Sequence, residues 1–178
     1  MLTKEQITIA LTRLGELACK QNETIDLLIV GGAALVLAYE ARQSTHDVDV
    51  IILSPNRDLV RTLAREVATE LGLNKKWFSD AARIFVTDRR ADMILLATPG
   101  LVVARPAIAH LLAMKLLAWR DEIDQSDAQR LLEELLKEQV SRSLPTDREH
   151  IWKMIEPYIS SNLRVKYAQA HFDDLWKE

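Results

Sequence analysis

The chain has 178 residues, 48% of them apolar and 28% charged, with a formal net charge of −3. Such a composition excludes a disordered chain, leaves room for one sizeable core with a helical appendage, and argues against wholesale coating of a nucleic-acid backbone, though not against a local basic patch holding one RNA end. Cys19 is the single cysteine, so no internal disulfide can form; no stretch could span a bilayer and the opening residues lack a signal-peptide layout, so a cytoplasmic, non-membrane protein is expected. In chain order, Thr3 and Gln6 resemble a capping box, and Ile7, Leu11, Leu14 and Leu17 recur at helical spacing, predicting a helix over Lys4–Lys20 with Cys19 as a small packing residue. Leu27–Val30 reads as a buried strand turning sharply at Gly31-Gly32, and Ala33–Ala41 as an apolar helix against the sheet.

A second strand is expected at Val50–Leu53, then an amphipathic helix through Leu59, Leu63, Val67 and Leu71 ended by Gly72. Residues 73–82 read as a loop or short helical piece with Trp77 and Phe78 packed beneath it. Arg83–Val86 and Ala91–Leu96 read as a hairpin joined by residues 87–90, with Leu101–Ala104 as a last strand. Helices are predicted from Ala107 to Trp119, from a cap at Ser126 to Gln139, from Thr146 onward, and over Asn162–Trp176, with a hinge at Ser141–Pro145. The order implies an α+β fold: a mixed β-sheet flanked by helices over residues 1–104, and a C-terminal helical layer over 105–178 packed on it.

The chemistry concentrates around residues 27–53. Asp47 and Asp49 flank Val48, and alternate residues of a strand face the same way, so the two carboxylates stand side by side. Paired carboxylates repel, and a hard divalent cation such as Mg²⁺, with Mn²⁺ as a substitute, resolves the repulsion. Thr45 and His46 precede the acids and are placed to contact substrate or metal-bound water, although a lone loop histidine is more often simply exposed. Asp92 shares strand parity with Ile94 and Leu96 and so ends an otherwise buried row, which is costly for an unpartnered carboxylate; Asp88, in the turn, competes with it as a further acid. Lys115, on a helix otherwise lined by Leu111, Leu112, Leu116 and Leu117, must snorkel out or meet an anion, for which a phosphate would serve. Lys75-Lys76 and Arg89-Arg90 could hold an RNA phosphate, though short basic pairs in loops are usually solvated.

Gly31-Gly32, a helical spacer and Asp47-Val48-Asp49-Val50 together resemble the signature of the DNA polymerase beta-like nucleotidyltransferase superfamily. The stretch His110–Arg120 with Asp127 resembles the helix motif of its AbiEii-like branch, bacterial toxins of toxin-antitoxin systems. The resemblance covers residues 27–135. It implies a nucleotidyltransferase core, with Asp92 as the third catalytic and metal-binding acid beside Asp47 and Asp49. Gly31, Gly32, Thr45, Lys115, Arg120 and Asp127 would contact the nucleotide, with the glycine amides and helix N-terminus facing the triphosphate. The implied reaction is Mg²⁺-dependent transfer of a nucleoside monophosphate to a hydroxyl of tRNA, a protein or a small molecule, with a cognate antitoxin as a further partner. Ala33 stands where many relatives carry serine, and the spacer to Asp47 is long.

Two other readings of Asp-x-Asp fare worse. A phosphatase of the haloacid dehalogenase type carries the pair directly after its strand, whereas here the apolar run follows it; an EF-hand would need later ligands and a glycine that are missing. The alternative that stands is a nucleotidyltransferase fold that binds a nucleotide or protein without catalysing transfer.

Overall fold

The computed structural model describes residues 1–39, 42–84, 86 and 88–177. The fold is α+β, as expected. The chain divides into two compact units, one formed by Met1–Ile84 and Arg89–Pro106, the other by Phe85–Asp88 and Ala107–Glu178.

The first unit opens with β1 (Leu2–Thr3) and α1 (Lys4–Lys20). Thr3 closes the predicted capping box, its hydroxyl accepting from the Gln6 amide while the Gln6 side chain returns to the Thr3 amide. β2 (Ile25–Val30) leads into α2 (Gly31–Ala38), then β3 (Ser44–Thr45), β4 (Val48–Ile52) and α3 (Arg57–Glu70), capped by the Asn56 side chain. β5 (Phe78–Ser79), β6 (Met93–Thr98) and β7 (Leu101–Arg105) complete it.

The main sheet has the order β5-β4-β2-β7-β6, while β1 and β3 form a small antiparallel pair. β2 pairs antiparallel with β4 and parallel with β7. Flanked on both sides, this central strand is buried throughout Leu27–Val30, which explains its unbroken apolar run. α1 packs against α3 and β7 through Ile7, Leu11, Leu14 and Ala18, all fully buried. Arg13 ties its outer face to Glu70 of α3 at 2.6 Å.

Four expectations for this unit are revised. Residues 73–82 contain a strand: the Val48 amide donates to the Trp77 carbonyl at 2.6 Å, and Phe78 and Ser79 pair with Val48 and Asp49. Two residues are too few to show a period. The β6 hairpin forms with β7 across the Pro99-Gly100 turn instead of with Arg83–Val86. Of that earlier run, Arg83 belongs to a 3-10 turn, Ala81–Ile84, and Phe85 and Thr87 lie outside the described residues. β6 is consequently an edge strand with Met93 and Ile94 exposed, so Asp92 does not end a buried row. Cys19, expected to pack, is exposed near the end of α1.

The second unit holds α4 (Ile108–Ala118), α5 (Glu122–Ser141), α6 (Arg148–Ile155) and α7 (Asn162–Lys177). α5 begins four residues before the expected cap because Asp121 accepts from the Asp124 amide. α6 is capped by Asp147, not Thr146. α4 packs against α5, α6 and α7, burying Leu112 and Leu116 in the same unit as Leu131, Leu135, Ile151 and Phe172. Among the described residues no helix is long and apolar enough to cross a membrane.

Candidate nucleotide-binding site

The sharpest local geometry lies where β2 turns into α2. Gly31 has φ +61°, the left-handed region that side chains with a Cβ avoid. The antiparallel register sets Asp49 beside Val30, so its carboxylate arrives directly over this turn. A Cβ at Gly31 would fall 3.0 Å from Asp49 Oδ2, so glycine serves both the turn and the carboxylate's approach. A Cβ at Gly32 would fall 2.7 Å from Thr45 Oγ1 and 3.0 Å from Arg42 Nη1. Gly31, Gly32, Thr45 and Asp49 therefore lie together at this turn, joined by Arg42. Thr45 is buried through the pairing of β3 with β1, while His46 is exposed. The first turn of α2 presents glycine backbone beside a guanidinium, an environment suited to phosphate oxygens.

Asp47 lies in the bend just before β4. It also lines a cleft of about 410 Å³ whose walls include Arg61, Arg65, Lys75, Lys76, Phe78 and Asp80. Beneath the cleft Trp77 is fully buried, its indole N–H donating to the Ala64 carbonyl of α3 at 2.9 Å. Trp77 thus packs below the segment, as anticipated.

Asp92 does not join this group. The sheet order places β2 and β7 between β4 and β6, three strand spacings, or about 14 Å. No single ion could bridge that gap, and among the described residues no three acids or other ligating side chains lie close enough to hold one metal. Strand parity tells which way a side chain faces but not which strand is its neighbour, and β7 takes the place beside β2 that a third acid would need. Asp92 instead pairs with Arg105, Nη1 to Oδ2 at 2.7 Å. The arginine is buried among apolar neighbours, stacked over the Tyr39 ring at 5.4 Å, and also donates to the Pro106 carbonyl. Asp92, 41% exposed, serves to neutralise it.

Lys115, Arg120 and Asp127 belong to the second unit. Lys115 Nζ reaches Asp124 Oδ1 at 2.9 Å and Asp127 Oδ2 at 2.6 Å. Both carboxylates are almost fully buried, at 3% and 4% exposure. Arg120 Nε adds a contact to Asp124 Oδ2 at 3.1 Å. The anion that Lys115 needs is thus supplied by α5. Burial alone would raise the Asp124 pKa, but hydrogen bonds and charge from Lys115 and Arg120 outweigh it and hold the carboxyl below its ordinary range.

A family described as "Nucleotidyltransferase of unknown function (DUF6036)" matches residues 9–173. The chain belongs to that family. The match takes in the glycine turn, both acids before and on β4, and nearly all of the helical unit; no curated protein matches the chain. For this family member, the donor set at the turn fits magnesium. Mg²⁺ commonly takes one or two carboxylates and completes its shell with water and substrate phosphates, and the space a Cβ would fill at Gly31 lies against one such carboxylate. Several partners in the chain carry weak or no signals in the sequence. Asp124 sits three residues before Asp127, on the same helix face, a spacing that marks it as a co-partner of Lys115. Arg105, an arginine at the end of an apolar strand, signals a buried pair. Nothing in the sequence around Arg42 marks it.

Proposed function

We propose that the chain is a Mg²⁺-dependent nucleotidyltransferase, with Mn²⁺ able to substitute, that moves a nucleoside monophosphate from a nucleoside triphosphate to a hydroxyl and releases pyrophosphate. The observation that carries the reading is the Asp49 carboxylate seated against the positive-φ Gly31 at the start of α2. The amides of Gly31 and Gly32 would face the triphosphate, Arg42 would balance its charge, and Thr45 Oγ1 would donate to a phosphate oxygen. Asp47 and Asp49 would hold the metal ion. When bound, it supplies charge neutralisation on the phosphoryl oxygens and aligns attacking and leaving oxygens. Holding that geometry at a preset turn is the protein's share of the catalysis.

The resemblance of His110–Arg120 and Asp127 to the AbiEii-like motif supports a toxin paired with an antitoxin, acting in the cytoplasm on tRNA, a protein or a small molecule. In that reading Lys115, Arg120 and Asp127 support the fold of the helical unit instead of touching the nucleotide. Wild-type protein incubated with each α-labelled nucleoside triphosphate, Mg²⁺ and total RNA or cell extract should pass label to a macromolecule, and Asp49→Asn should not. Equal transfer by the variant would overturn the proposal. The second reading, a nucleotide-binding protein without transfer, is favoured by one observation, the pairing of Asp92 with Arg105, and absence of transfer by the wild type would select it.

A further inference from the structure

The cleft beside Asp47 has a composition at odds with the chain that carries it. In a protein of net charge −3, four cations line one concavity against two acids. Arg61 is already neutralised: it pairs with Asp80 at 2.5 Å and with Asp58 at 3.0 Å. Arg65, Lys75 and Lys76 make no ion pair among the described residues, leaving the cleft with a surplus of positive charge.

These cations are fixed to the framework. Arg61 and Arg65 lie four residues apart on α3, one turn along the same face. Lys75 and Lys76 precede Trp77, which is held twice: its indole donates to the Ala64 carbonyl, and its own carbonyl accepts from the Val48 amide. The lysine loop is thereby tied to the helix carrying the arginines and to the strand between Asp47 and Asp49. Phe78, partly exposed in the cleft wall, offers an aromatic face.

We infer that this cleft binds the phosphodiester backbone of a single-stranded nucleic acid. A row of cations on two facing elements matches successive phosphates better than a lone anion, and an aromatic ring among them suits a base face. The volume, about 410 Å³, is that of a site for a small ligand or a few units of a chain. The strand would run past Asp47 and thus serve as acceptor; in that last step the inference rests on the nucleotidyl-transfer reading above.

The test is anisotropy of a fluorescent 12-nucleotide single-stranded RNA with full-length protein and no nucleoside triphosphate. The triple variant Arg65→Glu, Lys75→Glu, Lys76→Glu should bind about tenfold or more weakly, and the alanine triple should lower the slope of log affinity against log salt by about 2. The exposed Lys166→Glu, on α7, should leave binding within about twofold. All four positions are exposed, so melting temperatures should stay near wild type, which a thermal scan checks. RNA binding that is unchanged in both triple variants, or a poly-glutamate peptide that binds as tightly as the RNA, would overturn the inference. RNA binding that depends on the three cations, in a protein whose label transfer is nil, would uphold the cleft while removing the transferase reading, so the two failures are distinct.

Discussion

Carboxylates are paired with basic side chains in both units, and the contrast between the two shows how to tell a scaffold from a site. In the helical unit, Asp124 and Asp127 are buried, held by Lys115 and Arg120, and carried on the ordinary helical backbone of α5. In the sheet unit, Asp49 is half-buried and sits against a left-handed glycine, next to a helix start and an arginine. Backbone in a sparsely populated region costs free energy and persists where the surroundings demand it. Charge pairing without such geometry signals stability, and charge beside it signals chemistry.

The contrast can be broken by substitutions that trade function against folding. Asp49→Asn should cut label transfer by about a thousandfold, roughly 4 kcal/mol of transition-state stabilisation, while its denaturation midpoint stays near wild type. Lys115→Met should do the reverse. It removes the cation that two buried acids share, at a cost of about 3–5 kcal/mol in urea unfolding, and adding Asp127→Asn should recover part of the loss. If the lysine variant proved fully stable but inactive, the division would fail.

Gly31→Ala tests both properties at one position. Left-handed backbone at alanine costs about 1–2 kcal/mol, and the new methyl would displace Asp49, so transfer should fall together with the melting temperature. The pH dependence of the helical unit sharpens its side of the contrast. His110 is buried and stacked on Tyr158 at 4.5 Å. Burial lowers its pKa, with the Asp88 carboxylate opposing. The folded state therefore keeps it neutral while the unfolded chain takes up a proton below about pH 6.5, so stability is full above that value and falls as pH drops. Asp124, also lowered, adds a second loss in the acid range below its ordinary value. Melting curves at pH 7.5 and 5.5 should show the first loss, and His110→Phe should shrink it to the share of His171, whose pKa burial also lowers. The last test is Asp92→Asn: its own carboxylate is 41% exposed, but the buried Arg105 loses its counter-charge, so stability should fall by about 1–3 kcal/mol, with transfer unchanged. A collapse of transfer would restore Asp92 to the catalytic group.

What could be read in advance followed from periodicity and end signals. α1 runs over the residues expected of it because Thr3, Gln6 and the apolar spacing agree, and the glycine turn with Asp49 was legible because residues a short distance apart in sequence had to meet. The place of Asp92 was not, since strand order depends on which distant segments pair, and the Pro99-Gly100 turn drew β6 to β7. β5 was hidden because two residues carry no pattern. The apolar neighbours of Lys115 require its ammonium to snorkel out or to meet an anion, but an acid one helix away is as good a partner as a phosphate, and only tertiary packing decides between them.

The indole of Trp77 has a use beyond anchoring. Of the four tryptophans, the other three, Trp119, Trp152 and Trp176, all belong to the helical unit. With those replaced by phenylalanine, Trp77 becomes an intrinsic fluorophore for the sheet unit alone, and its emission reports on unfolding of that half of the molecule without a label.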